Sequence, residues 1–368
     1  MSKAAELAAL IGSQTALSNR NLIINGAMQI DQRNQTTTAT SYSIDRWIIV
    51  KTNFDELVIA VTQDTDNPSG NGFSNSLKVA VTTAESAQAA DENMCLMQRI
   101  EGQNLQQLAY GTSSAKSLTL SFWVKSPVAG KHSLLFYQST PNRSNLQSYT
   151  VSSANTWEYK TITVEGDTSG NIANDNTNEL EVFWNLSSGT DFTGTPHTGW
   201  GTHSNTDDFA HSDSVNIAAQ TGNFFLTGVQ LEVGEQATPF EHRSFGDEYQ
   251  RCLRYYYKTP APNGGMSANE TFPCIGNMDG STTGAYMLQF PVTMRAAPSA
   301  FEQSGTASDY SIRVTSDANG TSVPTAGGFT AENAIINLVS SGAGFTSGDA
   351  CFMRAESTDA FLAFSAEL

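Results

Sequence analysis

Apolar and polar residues alternate with period two along much of this chain, the pattern of strands with one buried face. Leu57, Ile59 and Val61 are offset from Val58, Ala60 and Thr62, and Leu77, Val79 and Val81 from Lys78 and Ala80. Over 117–125, Leu118, Leu120, Phe122 and Val124 fall on one side and Thr119, Ser121, Trp123 and Lys125 on the other. The series continues through 134–138, 159–164, 180–186 and 224–233, with clusters of Gly, Asn, Asp and Ser between. Antiparallel sheets with one solvated face read this way. About eight such strands over about 220 residues predict a jelly-roll β-sandwich.

Two segments depart from period two. Over 4–13, Ala4, Leu7, Ala8 and Ile11 share a helical face, which predicts a short N-terminal docking helix within 1–20. Over 244–258, Phe245, Tyr249, Cys252, Leu253 and Tyr256 form one helical stripe. Ser244 and Asp247 have capping-box spacing, and Arg251, Arg254 and Lys258 load the C-terminal end as the helix dipole prefers. A turn-rich stretch, 259–265, follows. Alternation resumes at 286–292, 310–315, 334–339 and 352–355, and a last segment, 360–368, is expected to close that sheet. The predicted class is all-β: a sandwich over 21–243, a helical linker over 244–265 and a smaller β-rich domain over 266–368.

Length agrees with two domains, since 368 residues exceed the ~250–300 at which one core stops growing. Charged residues are only 15%, and the remainder is Ser, Thr, Asn, Gln and Gly rather than apolar, which suits short strands and polar turns. The net charge of −17 argues against nucleic acid and against an anionic membrane surface. No run approaches the ~18–20 apolar residues of a membrane span, and the N-terminus does not read as a signal peptide. Cys95, Cys252, Cys274 and Cys351 are widely separated and read as free core thiols.

Catalytic signatures are absent: the chain has no nucleophile elbow, zinc-protease helix, phosphate loop or dinucleotide fingerprint. The sequence is therefore read as non-enzymatic, with Glu158, Glu165 and Glu181 the carboxylates a glycoside hydrolase would draw on. Asp64 and Asp66, and Asp167 and Asp175, sit in Asp/Asn-rich loops of the composition that holds calcium, though without EF-hand spacing. His197, His203 and His211 share a long loop with Asp207, Asp208 and Asp213. The aromatic residues point further. Trp123 and Phe183 lie on the non-core parity of their strands among polar neighbours, and Trp200 lies in a polar loop; an apolar ring on a polar face is a ligand platform or a subunit contact.

Two segments carry a resemblance. NLIINGAMQIDQRNQ from Asn21 and YSIDRW from Tyr42 are similar to the opening of phage tail-fibre-type structural proteins common in marine and cyanobacterial phages, through Asn25, Gly26, Met28, Gln32, Arg33, Tyr42, Asp45, Arg46 and Trp47. Asn34 stands where that pattern has glycine. The segment 224–258, with Gly228, Gln230, Leu231, Glu232 and Gly234, then Pro239, Phe240 and Glu241, resembles the end of the same carbohydrate-binding-module-like domain. The resemblance implies a virion protein, assembled in the host cytoplasm and exposed on the particle. It also implies a homotrimer that contacts other virion proteins and binds a host-surface glycan. A capsid decoration or head-fibre protein and a glycan-degrading tail spike are the rival readings. Asp45, Arg46 and Trp47 are expected to be structural, a buried polar set fixing the first strand.

Overall fold

The structure, a computed structural model, describes residues 19–260, 266–341 and 344–368. The predicted N-terminal helix lies outside the described residues. The chain divides into two compact units, one running through Phe245 and the other spanning Gly246–Glu367.

The first unit contains β1 (Ser41–Tyr42), β2 (Ile48–Thr52), β3 (Val58–Asp64), β4 (Ser76–Thr83), β5 (Asn93–Glu101) and β6 (Leu118–Lys125). It continues with β7 (Gly130–Gln138), β8 (Arg143–Val151), β9 (Glu158–Val164), β10 (Asn178–Ser188), β11 (Gly201–Thr202) and β12 (Gly222–Val233). These make a seven-stranded sheet in the order β1-β2-β5-β10-β7-β8-β11 and a five-stranded sheet in the order β3-β4-β12-β6-β9, antiparallel throughout. Counting from β4 and leaving out the short β11, four consecutive strands of one sheet are first, eighth, third and sixth, and four of the other are second, seventh, fourth and fifth. That winding is a jelly roll. β2 and β3 each extend one sheet.

The core lies between the sheets. From the five-stranded sheet, Ile59 and Val61 of β3, Leu77, Val79 and Val81 of β4, and Leu118, Leu120, Phe122 and Val124 of β6 enter the same core as Val182, Trp184 and Leu186 of the other sheet. Trp184 is the hub: Trp47 and Phe122 each pack against its ring at 5.5 Å.

The two motif segments meet in this unit. Asn21 Oδ1 accepts the amides of Ile23 and Leu231, and its Nδ2 donates to the Val229 carbonyl. Gly26 is needed by close approach: a Cβ there would sit 2.1 Å from the Val229 oxygen. The Asp45 carboxylate accepts the backbone and side-chain amides of Gln32, at 2.7 and 2.6 Å. Arg46 donates to the Arg99 carbonyl at 2.6 Å, and Trp47 Nε1 to the Asn25 carbonyl at 3.1 Å. All three are buried, so each bond replaces one that water would otherwise supply.

The second unit takes the one α-helix among the described residues, α1 (Phe245–Leu253), with β13 (Tyr256–Thr259), β14 (Cys274–Met278), β15 (Thr283–Gln289), β16 (Ala300–Gln303) and β17 (Tyr310–Arg313). β18 (Asp317–Asn319), β19 (Thr325–Phe329), β20 (Asn333–Val339), β21 (Ala350–Ala355) and β22 (Leu362–Ser365) complete it. The sheets are β13-β22-β16 and β18-β17-β21-β14-β15-β20-β19. Three sequence expectations change here. The segment read as a linker over 244–265 is helical only to Leu253, because Tyr256–Thr259 pairs with Leu362–Ser365 as a strand. Phe245, placed on the helical stripe, is exposed, while Cys252 and Leu253 of the same stripe are buried. The final strand lies between two others instead of closing an edge. All four cysteines are free and buried, as composition and spacing predicted.

Candidate functional site

The outer face of the five-stranded sheet carries an exposed aromatic residue, Tyr159, beside the predicted site residue Trp123. Pairing brings Trp123 on β6 opposite Tyr159 on β9 and Thr227 on β12, and Lys125 opposite Phe225. Phe225 in turn faces Lys78, and Lys78 faces Thr62 on β3. Period two puts these residues on one side, opposite Phe122 and Val124 in the core. The Trp123 and Tyr159 rings are 5.4 Å apart and tilted at 49°. Trp123 is half-buried, Tyr159 is 45% exposed, and Thr161 and Thr163 continue the open row along β9.

One end of the patch is held by a carboxylate. Asp66 Oδ1 accepts from Trp157 Nε1 at 2.9 Å, and Asp66 Oδ2 from Lys125 Nζ at 2.5 Å. The Lys125 ammonium lies 4.9 Å from the centre of the Phe225 ring, a cation–π placement, and Trp157 stands 6.0 Å from the same ring. Asp64 pairs with Lys78 at 2.6 Å. Burial alone would raise the pKa of both aspartates, but the lysine bonds and neighbouring donors outweigh it and hold them below the usual carboxylate range. Two readings kept apart in the sequence, the Trp123 platform and the Asp64–Asp66 loop, thus share one surface.

The other candidates separate. Phe183 does lie on the non-core parity of β10, but it is only 7% exposed. It forms a second apolar layer on the outer face of the seven-stranded sheet with Cys95, Met97, Leu135 and Leu146, under Phe209 of the long loop, whose ring is 5.5 Å away. It is a packing residue. Trp200 packs on the core, meets Tyr110 edge-on at 5.8 Å and donates its indole N–H to the Glu165 carbonyl at 2.7 Å.

Asp167 is buried and accepts from Arg143 at 2.6 and 3.0 Å, from Gln138 at 2.8 Å and from the Ser169 amide at 3.0 Å. Asp175 accepts the hydroxyl and amide of Thr177. No group of three or more His, Cys, Asp or Glu side chains is placed to hold a metal among the described residues. His197 sits between Asp208 and the Ser144 carbonyl, each at 2.8 Å, and His203 bonds Asn205.

Of the carboxylates a hydrolase would use, Glu158 accepts from Lys160 and from the amides of Ser152 and Ser153, which outweigh its burial and pull its pKa down to about 2. Glu181 is buried, which pushes its pKa up against the pull of Arg99, 3.5 Å away. It lies on the outer face of the seven-stranded sheet, on the opposite side of the sandwich from Trp123.

No protein-family model matches the chain, and no curated protein matches it. Among solved structures, the enzymatically active domain of tailspike protein 4 of bacteriophage CBA120 aligns at 16% identity and TM-score 0.34, over 58% of this chain and 21% of that one. The chain therefore spans about a fifth of that protein's length. A family 4 carbohydrate-binding module aligns at 13% identity and TM-score 0.32, over 57% and 97%. The N-terminal cellulose-binding domain of a β-1,4-glucanase from Cellulomonas fimi aligns at 12% identity and TM-score 0.28, over 52% and 90%. Likeness at this level says nothing of ligand or activity, and the jelly-roll winding stands on the strand order alone.

Proposed function

We propose that this chain is a non-enzymatic virion protein, a homotrimeric tail-fibre or appendage subunit whose sandwich binds a neutral host-surface glycan on the outer face of its five-stranded sheet. The observation that carries the glycan reading is the Trp123–Tyr159 pair, a half-buried ring beside an exposed one, on a face that also carries Phe225, the exposed threonines of β9 and paired charges. Pyranose rings present flat C–H faces that stack on such rings, while hydroxyls bond to the flanking polar groups. Thr161 and Thr163 supply short neutral donors and acceptors along the same strand. The virion placement rests on the resemblance of the two motif segments.

Binding without hydrolysis is supported by the local carboxylates. Asp64, Asp66 and Glu158 all titrate below their ordinary range beside lysines, so they stay ionised and make poor general acids. Three weak sites per trimer would act through avidity. The test is a glycan array probed with the full chain and with Trp123→Ala. Binding to a defined set of neutral glycans that disappears in the variant supports the reading, and binding that survives the change contradicts it.

A further inference from the structure

One sheet face of the second unit carries an exposed apolar row. Ile275 on β14, Met287 on β15 and Ile335 on β20 stand directly opposite one another in register. They are 75%, 59% and 46% exposed. Phe352 on the neighbouring β21 and Val339 on β20 are exposed on the same sheet. The alternate positions of these strands, including Cys274, Tyr286, Leu288, Ile336 and Leu338, fill the unit's core, so the row is the outer side of the sheet. One row along, Asn277 and Asn337 flank Ala285.

We infer that this face is the contact between copies of the chain. This deepens the reading of the chain as a multi-copy appendage and rests on it. Charge selects the occupant. Residues 266–368 carry ten acidic residues against three arginines and no lysine, a net of 3 − 10 = −7, yet the row and its flanking amides contain no carboxylate. A cationic partner would find nothing to pair with there, and elsewhere on the unit two copies would repel. An uncharged apolar surface edged by amides, which both donate and accept, suits the same surface of further copies when all turn it toward a shared three-fold axis.

The rim agrees. At one edge Asp317 is neutralised by Arg313 and Arg354, at 2.8 and 2.7 Å, and Arg313 pairs in register with Phe352. An apolar centre with a satisfied polar edge is how protein interfaces are built.

The test is mass in solution by light scattering on the full chain, on Ile275→Asp and on the milder pair Ile275→Asn with Met287→Gln, with thermal melts to show that each variant folds. The expected result is an assembly of about three copies for the parent chain and a mass near one copy for both variants. Tyr159→Ser, on the sandwich, should keep the parent mass. If the parent is an assembly and both variants remain one, the contact lies elsewhere: this inference fails while the multi-copy reading stands. A parent chain of single-copy mass overturns both.

Discussion

Trp157 and Asp66, 91 residues apart in sequence, are joined by an indole hydrogen bond of 2.9 Å at the edge of the aromatic patch. The same carboxylate holds Lys125, which lies over Phe225, so one aspartate fixes three members of the surface. Asp66→Asn keeps the shape but weakens the lysine bond. The expected outcome is a fall in glycan affinity of about threefold to tenfold, with little change in melting temperature because the pair is partly solvated. Titration calorimetry of parent and variant reads this directly.

Phe183 and Tyr159 should behave oppositely. Phe183 is buried in the outer apolar layer of the seven-stranded sheet, so Phe183→Ala opens a cavity and costs about 3 kcal/mol of stability. It lies on the far side of the sandwich from Trp123 and should leave glycan affinity unchanged. Tyr159→Ala should cost under about 1 kcal/mol because the side chain is already 45% exposed, yet it should reduce affinity about tenfold. Denaturant melts and binding measured on the same two variants check the pair.

How far these roles were legible in the sequence depends on the element. Strands with one solvated face, such as β4 and β9, announced themselves by alternation. β5 did not, because nearly every residue of Asn93–Glu101 is buried and nothing alternates. β8 is polar along most of Arg143–Val151 and was equally silent. The parity of Phe183 was read correctly, but its cover was not, since Phe209 returns from a loop that carries no periodicity. Trp123 was legible as an outward ring. Its partner Tyr159 was not, because pairing register is set by distant turns and packing.

Gly26→Ala should be among the most damaging single substitutions in the sandwich. The added methyl would stand 2.1 Å from the Val229 oxygen, where the first motif segment docks on the last long strand. Backbone must move on one side or the other, and a loss of about 3 kcal/mol is expected. A thermal melt of the variant decides it.

His132 sets a pH dependence. The ring is fully buried, stacks on Tyr149 at 5.1 Å, and its Nε2 lies 3.2 Å from the Val128 carbonyl. Burial pushes its pKa down to about 4. An unfolded histidine titrates near ~6.5, so below that pH the unfolded chain takes up a proton that the folded chain refuses. Stability is therefore lost as pH falls from ~6.5 toward ~4, by up to about 3 kcal/mol, and this group contributes no change above pH ~7. His132→Gln should remove that part of the slope, measured as the difference between parent and variant in urea melts across this window.

Asp167 adds a second acid-sensitive anchor. Burial would raise its pKa, but Arg143, the Ser169 amide and Gln138 hold it below the usual range. Its contribution is complete above the unfolded value of ~3.9 and disappears as pH falls through the lower folded value. Asp167→Ala strands the Arg143 guanidinium and should cost about 3 kcal/mol at neutral pH. Melts with and without added calcium should agree in the parent chain, since these oxygens are already bonded to protein donors.

Glycan binding at the Trp123–Tyr159 surface is the property on which the proposed role depends. The most direct measurement is calorimetric titration, with an oligosaccharide selected on the array, of the full parent chain, Trp123→Ala and Phe183→Ala. Saturable binding by the parent is expected, with none detectable for Trp123→Ala and unchanged affinity for Phe183→Ala at lowered stability. Full affinity in Trp123→Ala, or loss only in Phe183→Ala, would contradict it.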